Sequence, residues 1–198
     1  TAGAPAESGT GGGAGARRAL VIVPALNEEA SLGRTLDEVR AVAPGYDLIV
    51  VDDGSHDGTS RVARERGIEV VRHATNLGVG AALQTGFRWA LARGYAIGVQ
   101  RDADGQHDPR HLGAVVAPVA DGRCDVTIGS RYVTATGYHA PVMRRLGMVL
   151  FSGLVSLALK QRITDTTSGF RAYGRAVMEV CQHDFPRDFP DAPLLIAL

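Results

Sequence analysis

The sequence predicts an α/β fold, a mostly parallel sheet flanked by helices. Short apolar runs rich in β-branched residues alternate with longer stretches whose apolar residues recur at helical spacing. Polar clusters follow the apolar runs instead of interrupting them, and glycines stand where the helical stretches stop. This alternation is the pattern of stacked βαβ units.

The expected strands are Ala19–Val23, Leu48–Val51, Glu69–Val71, Ala96–Gln100 and Asp125–Ile128. Between them, helices are expected over Ala30–Val42, Thr59–Arg66, Val79–Ala92 and Pro109–Val119. Gly67, Gly94 and Gly122 occupy helix C-cap positions, where a left-handed backbone ends the helix. Asp108-Pro109 reads as an N-cap followed by the first helical residue, and Asp57 as the cap of the helix at Thr59. In the third helix Ala82, Leu83, Gly86, Phe87, Ala90 and Leu91 form one apolar stripe, with Trp89 beside it as a core-edge residue.

With 198 residues the chain suits one domain with a sizeable core. Residues 1–16 are dominated by Gly, Ala, Ser and Thr without apolar periodicity and read as a flexible tail, leaving 17–198 as the domain. The apolar run Pro193–Leu198 ends abruptly and suggests truncation within a folded element. The 21 Lys and Arg balance 21 Asp and Glu, so nothing global favours nucleic acid, and anion recognition must come from local charge. Cys124 and Cys181 lack disulfide or zinc spacing and fit a reduced, cytoplasmic setting as buried apolar side chains.

Four polar clusters fall at strand ends: Pro24–Glu29, Asp52–Ser55, Asp102–Asp104 and Gly129–Arg131. In an open α/β sheet ligands bind outside the carboxyl ends of the strands, so the four should converge on one site. Asp52 and Asp53 repel each other and a turn needs neither. Asp53 is a candidate acceptor for a nucleobase N–H or ribose hydroxyls. Asn76–Ala82 opens a helix with a GxG but lacks a full GxGxxG, so close packing and backbone donation to a ligand both explain it.

Asp102-Ala103-Asp104 separates two carboxylates by one residue after an apolar strand, which suits a hard cation such as Mg²⁺ or Mn²⁺ completed by substrate phosphates. If the strand continues, Asp102, Asp104 and Gln106 share one face. Asp104 and Gln106 are then candidate direct ligands, with Asp102 ligating or acting through water or ribose. His107 is a possible extra ligand, and otherwise stands behind the ligands or faces solvent.

In order and spacing, Pro24–Glu29, Asp52–Ser55, Asn76–Gly80, Asp102–Gln106 and Ser130-Arg131 resemble the family 2 glycosyltransferases of the GT-A fold, a Rossmann-like sheet. Asp165–Tyr173 extends the resemblance to the dolichyl- and polyprenyl-phosphate sugar transferases, and it covers Leu20 to Leu198. It implies a divalent cation, Mg²⁺ or Mn²⁺, and a GDP- or UDP-linked sugar donor. It also implies that Pro24, Leu26, Glu28 and Asp53 line the nucleotide. Asp102, Ala103, Asp104 and Gln106 would hold metal and sugar diphosphate, with Arg131 at the phosphates. Leu26 departs from the pattern, which often has an aromatic residue there.

The implied reaction is a metal-dependent, inverting hexosyl transfer to polyprenyl or dolichyl phosphate. A lipid phosphate is already anionic and needs cations more than a general base. Arg131 and Arg171 are the candidates, because arginine grips phosphate in a bidentate way, and Asp165 would orient them or act as base. Leu146–Leu159 is uncharged for fourteen residues between basic flanks, too short to span a bilayer. It reads as a core helix or as a helix lying at the cytoplasmic membrane face. Three alternatives are a hydroxyl acceptor on the same fold, a haloacid-dehalogenase-like phosphatase using Asp102 and Asp104, and a nucleotide-binding module without catalysis.

Overall fold

The computed structural model describes residues 18–105, 107–129, 168–183 and 185. Strands β1 (Ala19–Ala25), β2 (Asp47–Asp52), β3 (Glu69–Arg72), β4 (Ile97–Gln100), β5 (Val126–Ile128) and β6 (Arg171–Gly174) form one sheet in the order β3-β2-β1-β4-β6-β5. Strands β1 to β4 pair parallel with one another, whereas β6 runs antiparallel between β4 and β5. The chain thus builds outward from β1 to β3, crosses back to β4, and creates a switch point between the carboxyl ends of β1 and β4.

Helices α1 (Glu29–Val42), α2 (Thr59–Glu65) and α4 (Leu112–Ala120) cover one face, and α3 (Val79–Ala92) and α5 (Arg175–Cys181) the other. The alternation in β1 assigns its residues between them, with Val21 and Val23 packing into the first core and Leu20 and Ile22 into the second. Gly86 brings α3 close to the sheet, since a β-carbon there would stand 2.4 Å or slightly more from Ile22 side-chain atoms, well inside contact.

Most expected elements form within two residues of their expected ends. Gly67, Gly94 and Gly122 all have positive φ, at 64°, 76° and 70°. The helix expected from Pro109 opens as a 3-10 turn over Pro109–His111, with Asp108 accepting from Arg110 N at 2.9 Å, before α4 begins. Trp89 packs at the core edge, its ring stacked on Tyr95 at 6.0 Å and covered by the Arg93 guanidinium. Strand β6 and helix α5 were not expected. Arg-Ala-Tyr-Gly has no apolar run, and β6 lies antiparallel to β4 within an otherwise parallel stretch of sheet.

Among the described residues no helix is long and apolar enough to cross a membrane. The expected helix at residues 146–159 lies outside the described residues, as do the terminal segments.

Candidate active site

Strand β1 ends at the switch point with Pro24. Ile22 turns its backbone toward β4 and accepts from Arg101 N at 3.0 Å, so Pro24, two residues on, faces the same side beyond the end of β4. Its missing N–H therefore breaks no ladder bond. The chain then turns through Asn27, at φ 56°, a left-handed conformation that asparagine tolerates.

Side chains zip this turn to the loop after β2. Asn27 N donates to Ser55 Oγ at 2.9 Å, and Asn27 Oδ1 accepts from His56 N at 2.9 Å. Glu28 N donates to Thr59 Oγ1 at 2.8 Å and Glu29 N to Asp57 Oδ2 at 3.1 Å, while Glu29 Oε2 accepts from Gly58 N at 2.9 Å. Each loop thus supplies acceptors for the other's helix N-terminus. The N-cap of α2 is Gly58, not Asp57 as expected, but Asp57, one position earlier, still accepts from Thr59 N at 3.0 Å. Glu28 accepts from Ser31 Oγ through its carboxylate, and Leu26 remains 38% exposed at the rim.

The two carboxylates after β2 have separate tasks. Asp52 is buried and accepts from Ser55 N at 2.8 Å and from Ser60 Oγ, with Arg72 Nε 3.6 Å away. Burial works against its charge, but the bonds from Ser55 and Ser60 and the Arg72 guanidinium outweigh it and hold the carboxyl below its usual range. Asp53 is 4% exposed, and both its oxygens are engaged. Oδ1 accepts from Leu77 N at 2.9 Å and lies 2.7 Å from His73 Nδ1, and Oδ2 accepts from Gly78 N at 2.8 Å. Asp53 therefore fixes the loop that opens α3. Gly54 makes this approach possible, because a β-carbon there would stand 2.5 Å from the Thr75 carbonyl carbon.

The Asp102 segment differs from its expected form. Strand β4 stops at Gln100, so an extended strand does not align the two carboxylates. Instead Ala103 is buried, its carbonyl accepting from Thr35 Oγ1 at 2.9 Å, while Asp102 is half-buried and Asp104 exposed on either side. Below lies Arg101, fully buried, with Nη2 donating to His107 O at 2.7 Å and Nη1 to Thr35 O at 3.4 Å. Its Nε finds no hydrogen-bond partner among the described residues. Burial lowers the Arg101 pKa, against the opposing influence of Glu38, Asp104, Asp102 and Asp108. His107 stands behind the pair as expected, buried, with Nε2 3.9 Å from Asp102 Oδ2.

The start of β6 meets the same place. Arg171 pairs with Gln100 at the end of β4, and its buried guanidinium donates from Nε to Ser168 O at 2.9 Å. Phe170 stacks on His107 with ring centroids 5.2 Å apart. The structure thus brings Pro24, Leu26, Glu28, Asp53, Asp102, Ala103, Asp104 and Arg171 to one end of the sheet. Gln106, Arg131 and Asp165 lie outside the described residues. Sequence reasoning missed Thr35, Arg101, His73 and Gly169 as supports. Thr35 left a trace, since it is a polar residue among Leu32, Leu36 and Val39 on the buried face of α1.

The profile of the family described as Glycosyl transferase family 2 matches residues 20–181. The polyprenol monophosphomannose synthase of Mycolicibacterium smegmatis is 38% identical over 170 residues, 82% of this chain and 64% of that protein. The undecaprenyl-phosphate mannosyltransferase of Micrococcus luteus is 38% identical over 164 residues, 79% and 66% of the two chains. This chain therefore spans slightly less than two thirds of either relative. A crystal structure of glucosyl-3-phosphoglycerate synthase from Mycobacterium tuberculosis with phosphoglyceric acid superposes with a TM-score of 0.68 at 26% identity, covering 91% of this chain and 64% of that one. The same enzyme has been crystallised with Mn²⁺ and UDP-glucose, with a TM-score of 0.61 at 26% identity, covering 81% and 57%. The sheet order, the row of strand-end motifs and a profile match over most of the chain lead to one assignment: the chain belongs to glycosyltransferase family 2, with its GT-A fold.

Proposed function

We propose that this chain is the catalytic domain of an inverting hexosyltransferase that moves a sugar from a GDP- or UDP-linked donor to a polyprenyl or dolichyl phosphate, with Mg²⁺ or Mn²⁺, at the cytoplasmic membrane face. The observation that carries the reading is the carboxylate pair, Asp102 half-buried and Asp104 exposed, beside the switch point of the sheet. The lipid-phosphate acceptors named in both curated relatives support the acceptor class.

The donor set fits such a cation. The two carboxylates are hard oxygen ligands with access to solvent, and the described residues hold no group of three His, Cys, Asp or Glu that would close a shell by themselves. A site of this kind leaves room for diphosphate oxygens. Asp102 and Asp104, with Gln106, would hold the ion, which supplies stabilisation of the charge developing on the departing nucleoside diphosphate.

Pro24, Leu26 and Glu28 line the nucleoside side, on a turn held rigid by the loop after β2. Asp53 acts on that side through the Leu77 and Gly78 amides it holds. On the acceptor side Arg131 meets the lipid phosphate, Asp165 orients it, and Arg171 adds positive charge from within the sheet. A single in-line attack by the phosphate oxygen on the anomeric carbon inverts its configuration.

The test supplies the chain with GDP-mannose or UDP-glucose labelled in the sugar, Mn²⁺, and polyprenyl phosphate in phospholipid vesicles. Label is expected in the lipid fraction with release of nucleoside diphosphate, and EDTA or Asp104→Ala abolishes both. Label only on a soluble acceptor such as phosphoglyceric acid would overturn the lipid assignment.

A further inference from the structure

We infer that Gly169 is a positioning residue, whose missing side chain forms the seat of the Asp102 carboxylate. A β-carbon built on Gly169 would fall well inside van der Waals contact of Cγ and both carboxylate oxygens of Asp102. Backbone conformation does not require glycine here, because Gly169 has no positive φ. The requirement is space alone, and the three atoms nearest that space, among the described residues, all belong to Asp102.

Gly169 cannot yield that space by moving back. On one side, Ser168 Oγ donates to Gly129 O at 2.5 Å and Ser168 O accepts from Arg171 Nε at 2.9 Å. On the other, Phe170 O accepts from Gly129 N at 2.7 Å, and the Phe170 ring lies on the His107 ring. Gly129 is itself tightly held, since a β-carbon there would stand 2.6 Å from Phe170 Cδ1. Ser168, Phe170 and Arg171 are all buried. A methyl group at 169 therefore displaces the more mobile partner, the Asp102 side chain, by rotation about χ1. The carboxylate then leaves the position it holds against Gly169, near His107. The segment leading into strand β6, which sequence periodicity did not reveal, thereby controls the geometry of a loop about 67 residues earlier in the chain.

The consequence for a metal rests on the function proposed above, whereas the seat itself does not. The experiment compares the full chain with Gly169→Ala, Asp102→Ala and the double variant. Thermal unfolding in EDTA reads the seat without any metal. Binding of Mn²⁺ alone, followed by the electron paramagnetic resonance of the free ion, reads the carboxylate's placement.

Gly169→Ala is expected to lower Tm in the natural background and to leave it unchanged in the Asp102→Ala background. It should also weaken Mn²⁺ binding by about ten- to hundredfold, the usual effect of disturbing a ligand's support. An equal loss of Tm in both backgrounds, or full Mn²⁺ affinity in Gly169→Ala, would overturn the seat. Background-dependent Tm loss in a protein that takes up no Mn²⁺ would uphold the seat and remove the metal-dependent reading.

Discussion

Thr35 Oγ1 donates to the carbonyl of Ala103 at 2.9 Å, tying the middle of α1 to the residue between the two candidate metal-binding carboxylates. Thr35 is fully buried, and the bond spans 68 positions of sequence. A helix on one face of the sheet thus anchors the loop at its end. Thr35→Val keeps the side-chain shape and leaves the Ala103 carbonyl without this donor. Urea unfolding should show a loss of about 1–3 kcal/mol, the usual penalty for a buried polar group left unpaired. Mn²⁺ binding should weaken in parallel, and an unchanged affinity would mean that the loop holds its form without the helix.

Arg101 supports the same loop at a different energetic cost. Its guanidinium is fully buried, with two of its three nitrogens bonded among the described residues, and burial lowers its pKa. A charge held this way contributes little to stability, because its desolvation opposes the bonds it makes. Arg101→Met relieves that desolvation but leaves the His107 and Thr35 carbonyls without this donor, so the two effects should offset and unfolding free energy should change by no more than about 1 kcal/mol. Turnover should fall nonetheless, since the His107 and Thr35 carbonyls lose the donor that joins them. Parallel loss of stability and activity would show that Arg101 serves the fold itself.

These two residues mark where the sequence stopped being legible. Periodicity disclosed β1 to β5 and α1 to α4 because their apolar residues repeat at two or at about 3.6 positions. The strand-end clusters disclosed the site because strand direction alone decides where loops converge. Strand β6 escaped, since Arg171 at its start is a charged residue in a fully buried position. Arginine is rarely buried so completely, and composition gives no warning when it is. Asp53 reads from the sequence as a candidate at this end of the sheet, but the bonds it makes were hidden. Its partners Leu77 and Gly78 lie 24 and 25 positions away and bond through backbone amides, which carry no side-chain signature.

Asp52 predicts part of the acid response. Its folded pKa is depressed, so its contribution to stability is present above the unfolded carboxylate value of about 3.9 and is lost as pH falls through the folded value. Asp52→Asn removes that charge while keeping one oxygen for Ser55 N. The variant should be less stable than the natural protein at pH 7. The difference should begin to close below about pH 4 and vanish below the folded pKa. Thermal unfolding between pH 7 and pH 2 checks it, and a gap that persists unchanged at the acid end would assign the effect to packing.

Asp53→Asn tests the clamp beside the nucleoside side of the site. Three N–H groups converge on the carboxylate, from Leu77, Gly78 and the ring of His73. Asparagine offers one oxygen and turns an NH2 group toward the remaining donors, so at least one backbone amide loses its acceptor. The expected penalty is about 1–3 kcal/mol, concentrated in the loop because Asp53 bonds that loop directly. Hydrogen exchange should quicken at Leu77 and Gly78 while the β1 and β2 amides stay protected. Under the proposed function the KM for the nucleotide-sugar should rise more than kcat falls, because Asp53 arranges donor-side backbone away from the reacting centre. Equal losses in both parameters, with exchange unchanged at the two amides, would instead put the Asp53 carboxylate in contact with the substrate.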